Sequence, residues 1–181
     1  MSSVSQTPRR AWSSGRRLGA AAAAVVVVVG AAIGPHLDGV ALLASQARPH
    51  APDWALLAAL PLAIKLHLAG ALAALAVGAV LMTRRKGRTF HRIAGWSWIG
   101  LVSLVAGSSL FITSLNHGRF SILHLFTGWT LIILPLAVMW ARRHDVSRHR
   151  RAMMGLFYGG FAVNLFIAFI PGRTLWTAFF G

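Results

Sequence analysis

Helix-length apolar segments separated by short polar loops constrain the fold of this chain more than any other feature. A helix that crosses a bilayer needs about 20 mostly apolar residues. Segments of this kind are Leu18–Gly34, Leu60–Met82, Ala94–Leu115, Phe120–Ala141 and Met153–Pro171. The second has an alternative start near Trp54, with Pro61 as a kink or a first-turn residue. The sequence therefore predicts an all-α integral membrane protein with five spans.

The composition supports a membrane location and excludes several kinds of site. Of the 181 residues, 56% are hydrophobic and 12% are charged, whereas about a quarter of a soluble domain is charged. Cysteine is absent, which excludes disulfides, thiolate metal sites and iron–sulfur clusters. The three acids lie outside the spans, which argues against a carboxylate proton relay. We find no catalytic motif, so the sequence leaves open whether the protein is an enzyme.

The positive charges predict an orientation in the membrane. The net charge of +15 is concentrated in clusters before the first span and after the second and fourth spans. By the positive-inside rule, the amino terminus and both basic loops are cytoplasmic and the carboxyl terminus is periplasmic. Because the clusters lie between apolar runs and not along one soluble face, we expect the bilayer and its anionic lipid headgroups as partners, and no nucleic acid.

These boundaries divide the chain into four parts. Residues 1–17 are a basic cytoplasmic amino terminus, and residues 18–34 are a transmembrane anchor or, alternatively, a signal peptide. Residues 35–53, which contain three prolines, form an external linker. Residues 54–181 form a four-helix membrane domain.

The four-helix domain contains an internal repeat. "LHLAGALAALAVGAVLMTRRKGRTFHRIAG" and "LHLFTGWTLIILPLAVMWARRHDVSRHRRAMMG" both begin Leu-His-Leu, run apolar, reach Arg-Arg and arrive at His-Arg. His91 follows His67 by 24 residues, and His149 follows His124 by 25. Both copies enter the membrane from the same side, so we predict two parallel hairpins related by a pseudo-two-fold axis along the membrane normal.

This symmetry predicts two levels of paired histidines. It places His67 opposite His124 near the outer leaflet, and His91 opposite His149 at the inner face. The levels are about 25 Å apart, from about 17 helical residues at about 1.5 Å each. Facing imidazoles are the ligands of six-coordinate haem b, so these four residues are candidate cofactor-binding residues, with His67 and His124 as the main iron ligands.

Simpler interpretations of the same residues remain open. His67 shares a helix face with Gly70, Ala74 and Gly78, and small residues of this kind serve close helix packing as well as a flat cofactor. His91 and His149 lie in first turns, each before an arginine, and can bind a lipid phosphate. Thr89 and Ser147, each two positions earlier, are candidate helix caps.

Motifs across the membrane domain resemble those of a known family. "LHLAGALAALAVGAVLMTRRKGRTFHRIAGW", "NHGRFSILHLFTGW" and "RRHDVSRHRRAMMGLFYGG…FIPGR" are similar to segments of small bacterial inner-membrane proteins described only as a domain of unknown function. The resemblance covers about Leu60 to the end. It implies a multi-helix protein of the bacterial inner membrane and supplies no activity.

A looser resemblance is to transmembrane di-haem cytochromes of the ascorbate-reducible type. In that family, histidines on the second and fourth helices hold one haem, and those on the third and fifth hold the other; His67, His124, His91 and His149 fall on the same helix numbers here. The departures are that the inner histidines lie at helix starts and that we find no sixth span. The resemblance implies transmembrane electron transfer through haem b, with a redox partner or quinone. The alternatives are a non-enzymatic lipid- or partner-binding protein, and a histidine-only metal or quinone site.

The predicted topology is testable with reporter fusions. Fusions after Arg85 and Arg143 should report a cytoplasmic location, and fusions after Asn116 and Gly181 a periplasmic one. A cytoplasmic carboxyl terminus would contradict the five-span count.

Overall fold

A computed structural model describes residues 37–112 and 123–181, together with Val27 and Gly30. These residues are largely helical and contain no strand. The helices are α1 (Leu37–Ser45), α2 (Trp54–Ala59), α3 (Leu62–Thr83), α4 (Thr89–Ser109), α5 (His124–Arg142), α6 (Val146–Ala168) and α7 (Thr174–Phe180). The predicted all-helical fold is confirmed for this part of the chain. The predicted anchor at 18–34 lies outside the described residues apart from Val27 and Gly30, which are helical.

Three of the described helices are long and apolar enough to cross a membrane. They are α3, α5 and α6. Their bounds differ from the predicted segments by a few residues, except at the start of α6, which begins at Val146 and not at Met153. The basic sequence around Arg148 is therefore helical and continues the apolar segment without a break. The five-span count stays a prediction.

Helix α4 differs most from its predicted segment and does not meet the same criterion. It occupies Thr89–Ser109, whereas hydropathy predicted Ala94–Leu115. At its carboxyl end the hydroxyls of Ser108 and Ser109 donate to the carbonyls of Val105 and Ala106. Hydroxyl groups that bond nearby carbonyls compete with the backbone ladder, which a hydropathy average does not detect.

The loop between α5 and α6 shows which residues begin the second basic helix. Asp145, not Ser147, is the N-cap residue, and its carboxylate accepts a hydrogen bond from the Arg148 amide at 3.0 Å. His144, just before it, has a left-handed φ of 57°, which turns the chain sharply. Helix α4 likewise begins after Arg88, with no side-chain cap from Thr89. The predicted caps were therefore wrong.

The four long helices pack in a ring within the compact unit Asp38–Gly181. Helix α3 packs on α4, α4 on α5, and α5 on α6; a π-helical segment of α6, Leu156–Ala162, closes the ring by packing on α3. The main core lies inside the ring and contains Ala74, Leu81, Trp98, Val102, Leu134, Leu156 and Phe161. In this arrangement α3 is diagonal to α5, and α4 is diagonal to α6.

Trp98 occupies the centre of the ring and is 2% exposed. Its indole N–H donates to the Ala74 carbonyl on α3 at 2.9 Å, and its ring lies 5.9 Å from that of Phe161 on α6. Room for the indole comes from Gly78, where an added Cβ would lie 2.8 Å from Trp98 Nε1 and 2.6 Å from the Phe157 ring. The small-residue face of α3 is therefore used for helix packing.

The segment before α2 is attached to the carboxyl-terminal helix. The amides of Arg48, His50 and Asp53 donate to the carbonyls of Phe180, Phe179 and Ala178, at 2.9–3.1 Å. These carbonyls lie in the last turn of α7, where no later amide of the same helix can donate to them. The end of the predicted external linker and the chain terminus thus lie together.

The close approach at Gly78 predicts a selective sensitivity to a single methyl group. Gly78→Ala should lower the free energy of unfolding by about 1–3 kcal/mol, since the aromatic rings of Phe157 and Trp98 must move. The matched control is Gly100→Ala on α4, where an added Cβ meets nothing within 4 Å and alanine is the better helix former. Thermal unfolding in detergent measures both. Equal unfolding temperatures for the two variants would contradict the packing described for α3.

Candidate functional site

His67, near the start of α3, is bonded to the end of α4. Its Nδ1 lies 3.1 Å from the Val105 carbonyl and 3.4 Å from the Ser108 hydroxyl. Because a carbonyl only accepts, Nδ1 carries the proton and donates it. The lone pair of the neutral imidazole is then on Nε2, which is the tautomer that a metal-ligating histidine with an oriented ring adopts.

A second polar contact joins α4 to α5 at the same level. The hydroxyls of Ser109 and Thr127 are 2.7 Å apart, and Thr127 lies one turn after His124, the first residue of α5. Since Ser108 and Ser109 are adjacent, His67 and His124 lie at the same end of the ring, on the diagonal helices α3 and α5. Both side chains are partly buried.

His149 repeats the bonding pattern of His67 at the other end of the ring. Its Nδ1 donates to the Ala137 carbonyl of α5 at 2.9 Å, so its lone pair is also on Nε2. The acceptor residue, Ala137, is fully buried. In both cases an imidazole on one helix is oriented by a backbone carbonyl on the neighbouring helix of the same hairpin.

His91 lies in the first turn of α4, within electrostatic range of His149. Burial lowers the pKa of His91, and electrostatic interaction with His149 and Lys86 lowers it further. A lowered pKa keeps the ring neutral near physiological pH, which is the form that binds a metal. His91 and His149 are on the other diagonal pair, α4 and α6.

A packed core separates the two levels. His91 and Ser108 are 17 residues apart on α4, which is about 26 Å at about 1.5 Å per residue. Trp98 and Val102 fill the interval. A flat macrocycle cannot lie along Gly78, because Trp98 and Phe157 occupy that position. Any cofactor at these histidines must therefore lie toward the ends of the ring.

Sequence reasoning missed the hydroxyl contacts at the level of His67 and the N-cap role of Asp145. Ser108, Ser109 and Thr127 carry no recognisable motif, since isolated hydroxyls in apolar helices are common. Asp145 had a signal that was available: an aspartate directly before the first apolar residue of a helix, here Val146, is a usual N-cap. Among the described residues, no group of three or more histidines, cysteines, aspartates and glutamates could hold a metal ion.

Comparison with known families agrees with the membrane fold. Residues 64–177 match the family model described as "Predicted membrane protein (DUF2306)". The chain belongs to this family. The matched range contains all four candidate histidines and all but the first residues of the two predicted hairpins. The family therefore defines the membrane domain but assigns it no activity. No curated protein and no solved structure matches the chain, and the likeness to di-haem cytochromes stays a prediction.

The hydroxyl contact between α4 and α5 predicts a measurable coupling. Ser109→Ala and Thr127→Val should each destabilise the protein, and the double variant should cost less than the two single costs together, with a coupling of about 1 kcal/mol. A double-mutant cycle of unfolding in detergent measures it. The control is Ser97→Ala combined with Thr127→Val, because Ser97 bonds only within its own helix, to Ile93. Coupling of the same size in the control pair would remove the interhelical contact as its cause.

Proposed function

We propose that this family member transfers electrons across the bacterial inner membrane through b-type haem held by paired histidines. The observation that carries the proposal is the matched orientation of His67 and His149. These residues lie at opposite ends of the ring, and each donates Nδ1–H to a backbone carbonyl of the adjacent helix. The pattern leaves Nε2 as the coordinating atom at both levels.

The donor set fits haem iron. His67 with His124 would hold the outer group, and His91 with His149 the inner group, each pair drawn from diagonal helices. Two neutral imidazoles suit six-coordinate haem, which takes axial histidines. When bound, the haem supplies reversible one-electron chemistry.

The chain's own residues would position the ligands and exclude water. The Val105 and Ala137 carbonyls set the ring orientation, which is the role that outer partners play for ligating histidines. Burial and the nearby Lys86 lower the pKa of His91, which favours the neutral ring. Trp98, Val102 and Phe161 fill the space between the levels, so water and protons are excluded from the middle of the path.

The orientation proposed for this path follows the charge pattern. The basic residues Arg84, Arg85 and Lys86 follow α3, and Arg142 and Arg143 end α5, so both clusters are at the level of His91 and His149. We place this end at the cytoplasmic face. The contact between Arg48–Asp53 and the end of α7 supports a linker and a carboxyl terminus on one side of the membrane. A quinone or a redox protein would complete the reaction.

Absorption spectra of protein purified from haem-replete cells test the proposal. The wild type should show a Soret band that shifts on reduction, with the sharpened bands of bis-histidine coordination. His67→Ala and His124→Ala should each remove the outer group and about half of the haem, because a lost axial ligand destroys the six-coordinate site. His91→Ala and His149→Ala should remove the other half.

His144→Asn is the matched control, because His144 is exposed and asparagine tolerates its positive φ. This variant should keep the full spectrum. A folded wild-type protein that stays colourless after haem addition contradicts electron transfer by haem. A haem content that stays at the wild-type level after loss of both His67 and His124 contradicts the outer ligands.

A further inference from the structure

An apolar groove lies between α5 and α6 of the second hairpin. It encloses about 370 Å³ and is open to the surface, a volume within the range of small-molecule sites. Trp129 and Ile133 of α5 form one wall, and Ala152 and Gly155 of α6 form the other. These four residues are half-buried, and the groove opens to the surface of the ring of helices.

The glycines of α6 give the groove its depth. An added Cβ at Gly155 or at Gly159 would lie 3.6 Å from the Trp129 ring, so the indole packs directly over the backbone of α6. Gly159 lies in the π-helical segment, whose wider turn displaces the chain. The indole and the glycine surface together form a mostly apolar floor.

The groove has the length of one bilayer leaflet. Trp129 marks its deep end and Trp140 its shallow end, and they are 11 residues apart on α5. At about 1.5 Å per residue this is about 16 Å, close to half of the roughly 30 Å hydrocarbon core. An acyl chain of the same leaflet therefore fits from end to end.

Positive charge is confined to the shallow end. Arg148 and Arg151 line the groove there, and both side chains are exposed. Asp145 takes one contact from Arg148, between Oδ2 and Nε at 3.3 Å, which occupies one of the five N–H donors of the guanidinium. Arg142, Arg143 and Arg150 are close in sequence and add to the positive charge, whereas Asp145 is the only acid in this loop.

We propose that the groove is a binding site for an anionic phospholipid. One acyl chain lies between Trp129 and Gly155, and the phosphate accepts hydrogen bonds from Arg148 and Arg151. Binding of a phospholipid uses both parts of the groove. Arginine binds phosphate through a bidentate, charge-assisted contact, and the apolar floor binds an acyl chain, which a soluble anion does not have. Trp140 lies at the depth where indoles prefer the membrane interface.

This proposal does not depend on haem. The lining residues include none of the four candidate histidines. A colourless protein would leave the lipid site unaffected, and loss of lipid selectivity would leave the histidine pairs unaffected. A negative result for one proposal therefore does not affect the other.

Quenching of tryptophan fluorescence by brominated phospholipids tests the site in the full-length protein. Vesicles contain phosphatidylcholine with a minor fraction of phosphatidylglycerol brominated on its acyl chains. Because the chain has seven tryptophans, the part of the quenching that is lost in Trp129→Phe/Trp140→Phe reports phosphatidylglycerol in the groove. The wild type should be quenched more by brominated phosphatidylglycerol than by the same fraction of brominated phosphatidylcholine. The double variant Arg148→Gln/Arg151→Gln should reduce this preference by about fivefold for each arginine.

The matched control is Arg84→Gln/Arg85→Gln in the first basic loop. It removes the same charge at the same face of the membrane, so general attraction to an anionic surface decreases equally in both variants. Only the Arg148/Arg151 variant should lose the preference measured in the groove. Equal loss in both variants overturns the site, because diffuse attraction would then explain the result.

A second pair of variants tests the apolar part without changing charge. Ala152→Phe fills the groove and should reduce quenching by brominated phosphatidylglycerol, whereas Ala141→Phe, at an exposed position at the end of α5, should not. Glycerol phosphate, added as a soluble competitor, should not restore fluorescence, since it has no acyl chain. Competition by glycerol phosphate, or full quenching of Ala152→Phe, overturns a lipid occupant and indicates a plain anion site or a different surface.

Discussion

The buried hydrogen bond from Trp98 to the Ala74 carbonyl is the contact on which the ring of helices depends. In an apolar environment an indole N–H must find an acceptor within the protein, and here the acceptor is the backbone of the neighbouring helix at 2.9 Å. That bond brings the bulkiest core side chain against α3, and it is sterically compatible only with glycine at position 78. The same ring also reaches Phe161 of α6. One side chain therefore sets the spacing of three helices.

The polar groups of the ring lie away from this dry centre, toward its two ends. At one end His67 bonds the Val105 carbonyl, and Ser109 bonds Thr127; at the other, His149 bonds the Ala137 carbonyl. Each of these contacts crosses between helices, so each satisfies a polar group and also connects two elements. Histidine at this depth is costly unless it is bonded, and the bonded tautomer is the one that suits coordination. Packing and candidate chemistry therefore depend on the same hydrogen bonds.

The π-helical segment of α6 gives the second hairpin a different shape from the first. Leu156 and Phe161 are buried in the core, while Gly155 and Gly159 pack against the Trp129 ring. The Asn164 side-chain amide donates to the Gly160 carbonyl at 2.6 Å. This bond supplies a donor to the π-helical segment, where the backbone hydrogen-bond pattern changes. Trp98 has no counterpart at the matching position of the second hairpin, where Leu156 stands. The two hairpins thus share a histidine pattern but differ in how they pack.

The apolar runs and basic clusters determined the helical class, the membrane location and the approximate positions of α3 and α5. Hydropathy is a sum over residues that are neighbours in sequence, so it does not depend on which helices pack together. The sequence also singled out the four histidines through their spacing. Only the tertiary structure decided that Gly70, Ala74 and Gly78 are covered by α4 and α6, that α4 ends at Ser109, and which ring nitrogen of His67 carries the proton. The groove beside Trp129 likewise had no sequence signal. Apart from the end of α4, these features are set by contacts between residues 12 to 79 positions apart in the chain, and such pairwise distances cannot be read from a local pattern.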